Sequence, residues 1–211
     1  MPIFKIDAAA LCIAHTFLDT KCGAFQCRKV YIEKSGKDAI RMTGMDGHKM
    51  ISFHLCGANP SLADFKPFGI RVDNAALKII KPRKNKRFYL TLRVDDSAVG
   101  LEANGIPVSV EGALYTYDVD QIWDRARTLL ERENTFRPSV LPIKEFKHFD
   151  LSGFFGPCRF PAFIKAGRMT VVNFQGLPKG IAARGLVRQT SAGVDEKKYA
   201  EIYGEDVPDW C

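Results

Sequence analysis

The chain has 211 residues, of which 46% are hydrophobic and 26% are charged, and its formal net charge is +7. This balance fits one or two globular domains with a substantial core. No apolar run approaches the roughly 18 residues that a membrane span needs, and the first residues lack the layout of a signal peptide. We therefore expect a cytoplasmic protein without a membrane partner.

The first predicted unit has the order β-α-β-β-β. Phe4–Ile6 predicts a strand, and Asp7 is placed to cap a helix that starts at Ala8. Leu11, Ala14 and Leu18 would share the apolar face of this helix. Three further strands are predicted at residues 26–33, 40–42 and 50–53.

The same order begins again after a Gly- and Pro-containing break at residues 57–60. A strand at Phe68–Val72 leads through Asp73, a second predicted N-cap, into a helix at Asn74–Ile80. Strands are then predicted at residues 87–94, 99–103 and 107–110. The two strand-to-helix junctions indicate a repeat of roughly 65 residues, although convergent N-capping would produce the same likeness.

A third, weaker unit follows. Val119–Glu133 predicts a longer helix whose apolar stripe is typical of core packing. A short helix is predicted at residues 142–149, and three strands at 163–165, 169–174 and 181–187. We predict a complete domain at residues 1–117, a helix plus a partial domain at 118–190, and a polar, acidic tail at 191–211.

Charge is distributed unevenly between this acidic tail and the rest of the chain. The tail holds six acids and two lysines, a net charge of −4, which leaves +11 on the other residues. A basic body fits a polyanionic partner, although solvated surface lysines would give the same count. The acidic tail could also mask a neighbouring basic surface.

The stretch Ala39–Leu55 contains two short predicted strands joined by a turn around Asp46 and Gly47. Asp-Gly is a strong tight-turn signal, because glycine accepts the positive φ that a hairpin turn demands. The simplest interpretation is a hairpin, with His48 and Lys49 solvated on the strand that leaves the turn.

The same turn resembles a motif of the bacterial DNA polymerase sliding clamps, the beta subunit family. That family has Thr-Asp-Gly-His-Arg-Leu after a strand of Leu-Arg-Leu type, and this chain has Met-Asp-Gly-His-Lys-Met after Ile-Arg-Met. The resemblance implies an α+β, DNA-clamp-like fold of repeated β-α-β-β-β units, without catalytic residues. It also implies a hydrophobic pocket that binds linear peptides of polymerases or clamp loaders, and the pocket residues carried over are Gly47, His48, Lys49 and Met50.

The chain departs from the clamp pattern at two places. Thr116 stands where the family has a proline, and Ala183–Val187 replaces the family's terminal Met-Pro-Met-Arg-Leu. Clamps also present basic side chains to the DNA backbone, a grip that is independent of sequence. The candidate contacts to double-stranded DNA are Lys78, Lys81, Arg83, Lys84, Lys86 and Arg87, and the alternative for this basic run is a solubilising loop.

Three functions remain open on the sequence. The first is a sliding-clamp-like tether that holds a polymerase or another replication factor on DNA; the second is a clamp-fold interaction module that does not encircle DNA. The third is an unrelated α+β enzyme, which the absence of phosphate-loop, dinucleotide and nucleophile-elbow motifs disfavours.

Histidine, cysteine and the number of repeats give three further expectations. His48 or His54 could act with Cys56 as a nucleophile pair, but no orienting third group is in evidence, so we expect no catalytic residues. The cysteines and histidines lack zinc-ligand spacing, so we expect neither a metal site nor a cofactor. In the clamp family a ring comprises twelve half-domains, and the predicted units of this chain amount to three, so we expect a monomer or small homo-oligomer.

Overall fold

The computed structural model describes residues 3–19, 21, 27–57, 65–82, 86–95, 98–114, 147–155, 159–166 and 169–188. The helices described are α1 (Ala8–Thr16), α2 (Asn74–Ile80) and α3 (Ser152–Phe155). The strands described are β1 (Ile3–Asp7), β2 (Val30–Lys34), β3 (Ala39–Met45), β4 (Lys49–Cys56), β5 (Phe68–Val72), β6 (Tyr89–Val94), β7 (Val99–Ala103), β8 (Ile106–Val108), β9 (Val110–Leu114), β10 (Arg159–Ala166), β11 (Met169–Gln175) and β12 (Ile181–Arg188).

The strands form two sheets. One has four strands in the order β1-β6-β7-β8, and the other has eight in the order β10-β11-β12-β4-β3-β2-β5-β9. The paired strands are antiparallel throughout. The predicted α+β class with repeated β-α-β-β-β order is confirmed.

The first strand of each repeat pairs with the other repeat. β1 pairs with β6, and β5 pairs with β2. Each unit therefore completes the sheet of its partner, so neither satisfies its backbone hydrogen bonds alone.

Helix α1 packs directly on the inner face of the eight-stranded sheet. The sequence predicted burial along one face of this helix, but every residue from Ala8 to Ala14 is buried. Its alanines allow a close approach to β3, where a Cβ added to Gly44 would lie 2.0 Å from the Ala14 carbonyl oxygen. Small residues on both elements thus set the spacing of helix and sheet.

The two predicted N-caps behave differently. Asp7 Oδ1 accepts from the amides of Ala9 at 2.9 Å and Ala10 at 3.2 Å, as predicted. Asp73 precedes α2, but its side chain makes no cap hydrogen bond. Instead its carboxylate accepts from the Ser109 hydroxyl, so a tertiary contact replaces the expected local one.

The predicted strand at 107–110 is two strands in the structure. β8 pairs with β7 in the small sheet, whereas β9 pairs with β5 in the large one. The chain changes sheets at Ser109, whose carbonyl accepts from the Asp73 amide at 3.4 Å. The predicted helix at 119–133, the acidic tail and the domain boundaries at 117 and 190 lie outside the described residues.

Candidate peptide-binding face of the eight-stranded sheet

The turn between β3 and β4 is built by its aspartate and its glycine. Asp46 Oδ1 accepts from the amides of His48 at 2.9 Å and Lys49 at 2.8 Å, and the Asp46 amide donates to the Lys49 carbonyl at 3.1 Å. Gly47 has a φ of +89°, in the region that favours glycine. The predicted hairpin is present, and its motif residues shape the turn.

The two residues after the glycine differ in exposure. His48 is exposed. Lys49 was predicted to be solvated, and this was wrong. Its side chain is mostly buried, and its Nζ lies 3.2 Å from Asp46 Oδ2. The turn therefore offers an imidazole to solvent while the lysine neutralises the aspartate.

An apolar row crosses four strands beside this turn, on the outer face of the sheet. Met45 pairs with Met50, Met50 with Leu186, and Leu186 with Val171. Directly paired residues of antiparallel strands share one face. These four side chains, the outer row, are 3–6% exposed, and none belongs to the main core cluster.

Two polar rows follow the outer row on the same face. Thr43 and Ser52 share a hydrogen bond of 2.6 Å between their hydroxyl groups, and both are buried. Farther along, Arg41 Nε lies 2.6 Å from Glu33 Oε1. The outer face is thus apolar at the turn and ionic at its far end.

The structure adds residues to the site that the sequence predicted. The outer row adjoins the turn that holds Gly47, His48 and Lys49, and Met50 is itself a member of the row. Leu186 comes from β12, the strand at the position of the clamp family's terminal motif. Val171 and Leu186 were missed because they reach the turn only through the pairing of β12 with β4, two strands far apart in the sequence. Met45, which departs from the clamp motif, is an apolar member of the row.

Four of the six predicted DNA-contacting cations lie among the described residues, and all four are exposed: Lys78, Lys81, Lys86 and Arg87. Arg83 and Lys84 lie outside the described residues. The Lys81 ammonium lies 5.4 Å from the centre of the Phe154 ring.

Arg87 is held by three groups. Its Nε lies 3.3 Å from Asp7 Oδ2, its Nη1 donates to the Lys179 carbonyl at 3.2 Å, and its guanidinium lies 5.0 Å from the Tyr89 ring centre. This arginine links α1, β6 and the turn between β11 and β12.

A catalytic pair of His54 with Cys56 was disfavoured on the sequence. His54 and Cys56 share the outer side of β4, and His54 Nδ1 lies 3.3 Å from the Ser35 hydroxyl. Within the described ranges, no three histidine, cysteine or acidic residues are grouped to hold a metal ion. No helix in this part of the chain is long and apolar enough to cross a membrane.

Comparison with known proteins finds similar structures but no matching sequence. No family model matches the chain, and no curated protein sequence does. The DNA polymerase III beta subunit of Thermotoga maritima matches with a TM-score of 0.58 and 10% identity, over 99% of this chain and 68% of that one.

Two other clamps match at similar levels. The Helicobacter pylori beta clamp bound to a DNA ligase peptide has a TM-score of 0.51 and 11% identity, over 98% of this chain and 70% of that one. A. fulgidus PCNA, bound to the C-terminal region of FEN-1, has a TM-score of 0.55 and 10% identity, over 92% of this chain and 100% of that one.

These likenesses define the class of fold. The chain has the DNA-clamp fold, in an α+β arrangement of antiparallel sheets. Its structural neighbours are bacterial DNA polymerase III beta clamps, of whose length it spans about two thirds, and PCNA.

Proposed function

We propose that this chain is a non-catalytic, cytoplasmic clamp-type tether. It binds double-stranded DNA without sequence preference and holds a polymerase or another replication factor through a linear peptide of that partner. The observation that carries the proposal is the pairing of β12 with β4, which sets Leu186 beside Met50 at the Asp-Gly-His turn. The clamp fold supports it, because related folds carry peptides of a ligase and of FEN-1.

The peptide site comprises the outer row together with Gly47, His48 and Lys49. Met50 and Leu186 are only 3% and 6% exposed, so a peptide would gain apolar contact with them only by displacing whatever covers them. The exposed His48 ring offers a polar contact at the rim.

The DNA contacts are the exposed cations on and after α2. Lys78 and Lys86 are the best placed of the described set, since Arg87 also neutralises a buried aspartate. Phosphate contacts of this kind release counterions, so their signature is a steep loss of affinity with salt.

The second candidate is a clamp-fold interaction module that does not bind DNA. The contacts of Arg87 with Asp7 and of Lys81 with Phe154 favour it, because they turn two of the predicted DNA cations toward the protein. In this case the peptide site would remain and the DNA contacts would be absent.

Peptide binding is tested by fluorescence anisotropy with two labelled probes, the DNA ligase peptide that the H. pylori clamp binds and the C-terminal region of FEN-1. We expect His48→Ala and Met50→Ala to weaken binding by about fivefold or more, as truncation of a contact residue does. Ile106→Ala, an exposed apolar residue on β8, is the matched control and should bind as wild type does. Equal affinity in all four proteins would leave only the hairpin interpretation.

A further inference from the structure

The turn between β11 and β12 brings an exposed lysine to the predicted DNA-contacting cations. Lys179 lies in this turn and is exposed. Arg87, at the end of the basic run, donates through Nη1 to the Lys179 carbonyl at 3.2 Å, although the two residues are 92 positions apart. A cation of the third unit therefore joins a surface that the sequence placed in the second unit.

The backbone at Lys179 is anchored at two adjacent carbonyls. The Lys179 carbonyl accepts from Arg87, and the next carbonyl, of Gly180, accepts from the Cys56 amide at the end of β4 at 2.8 Å. A side chain on a fixed backbone has less conformational freedom to lose when it binds a partner. Lys179 is therefore better prepared for a contact than a lysine on a loose loop.

Positive charge collects around the first half of α1. Arg87 lies against Asp7, which caps this helix, and neutralises it. Lys81 reaches the same part of the helix: burial raises the pKa of the Cys12 thiol to about 11, and the charges of Lys81 and Asp7 act on that thiol next in order. Lys81, Arg87 and Lys179 thus outnumber Asp7 by three charges to one, a local excess that attracts a polyanion.

We propose that Lys179 is a phosphate contact of the DNA surface and that Arg87 acts on it as a positioning residue. The inference rests on the proposed binding of double-stranded DNA. Phosphates bind the ammonium groups of Lys78, Lys86 and Lys179, whereas Arg87 stays with the Asp7 carboxylate and the Lys179 carbonyl. The DNA backbone then runs from α2 past the first residues of α1 to the turn between β11 and β12, so the second and third units both bind it.

The salt dependence of binding to random-sequence duplex DNA tests this contact on the full chain. Lys179→Gln should reduce the slope of the double-logarithmic plot by about 1, because one phosphate contact is lost, and Lys179→Arg should retain it. Lys21→Gln is the matched control, since it removes the same charge from an exposed lysine beyond the other end of α1. It should leave the slope unchanged.

The positioning role is tested separately by Arg87→Lys. This variant keeps a charge beside Asp7 but lacks the second arm of the guanidinium, which reaches the Lys179 carbonyl. It should weaken DNA binding about twofold or more in the wild-type background and have no effect in the Lys179→Gln background. Equal effects in the two backgrounds, zero included, would overturn the positioning role.

The possible results separate this inference from the proposed function. If Lys78→Gln with Lys86→Gln lowers the slope and Lys179→Gln does not, the Lys179 contact is overturned and the tether stands. An equal fall in Lys179→Gln and Lys21→Gln would trace the effect to net charge and would also overturn the contact. No DNA binding by the wild-type chain at low salt would overturn the tether and, with it, this contact.

Discussion

Arg87 donates through Nε to Oδ2 of Asp7 at 3.3 Å, while the other oxygen of that carboxylate caps α1. Asp7 is only 2% exposed, and a buried carboxylate is costly unless it is paired with a positive charge, which here is the guanidinium of Arg87. The same arginine reaches the Lys179 carbonyl between β11 and β12. A residue predicted to contact DNA is therefore part of the packing between the first repeat and the last strands.

The N-cap gives a stability prediction with an internal control. Asp7→Ala removes two hydrogen bonds from α1 and leaves Arg87 without its carboxylate, so we expect a loss of about 1–2 kcal/mol. Asp73→Ala should cost less, because that side chain makes no cap hydrogen bond with α2. Urea unfolding followed by circular dichroism measures both; equal losses would mean that the cap contributes little.

The contact between α1 and β3 leaves no room for a side chain. Gly44→Ala would place a methyl group 2.0 Å from the Ala14 carbonyl oxygen, which is backbone and cannot move aside cheaply. We expect a loss of about 3 kcal/mol, or failure to fold. Gly100→Ala is the control, since its nearest neighbour would be at 3.9 Å. Similar melting temperatures for the two variants would contradict this packing.

The residue at position 47 is restricted by the backbone conformation of the turn and not by the space around it. A Cβ at Gly47 would meet nothing nearer than Cys27 Sγ at 4.0 Å, but the φ of +89° disfavours a β-branched residue. Gly47→Val should therefore cost about 1 kcal/mol or more. His48→Ala should leave the free energy of unfolding nearly unchanged, because that side chain is exposed. Thermal unfolding of the two variants checks this contrast.

His15 should make stability depend on pH. Burial, and then the nearby Arg71, lower the pKa of His15 below its ordinary value of 6.5. Its Nε2 is buried without a hydrogen-bond partner among the described residues. The unfolded chain therefore binds the proton more readily, so the free energy of unfolding should fall as pH drops below about 6.5.

A variant isolates this effect. His15→Gln should lose less stability than wild type between pH 7 and pH 5, measured by urea unfolding at each pH. An identical pH profile in the two proteins would assign the dependence to other groups.

Local features of the fold could be predicted from the sequence, and long-range ones could not. The bounds of α2, β5 and β7 follow from periodicity and turn residues. The division of residues 106–114 into two strands was missed because β8 pairs with its neighbour β7, whereas β9 pairs with the distant β5.

The candidate site shows the same limit. The Asp-Gly-His turn could be predicted because its hydrogen bonds are local. The outer row could not, since it exists only when β12 pairs with β4. Likewise, nothing near Arg87 in the sequence indicates that its partner is Asp7.

The central claim, a tether on DNA, is tested most directly by the salt dependence of binding to random-sequence duplex DNA. Affinity should fall linearly on a double-logarithmic plot, and Lys78→Gln with Lys86→Gln should reduce the slope by about 2, one unit for each lost phosphate contact. Lys5→Gln, an exposed lysine on β1, is the control and should leave the slope unchanged. A slope that the double variant does not alter, or no binding at low salt, would contradict the tether and leave the interaction module.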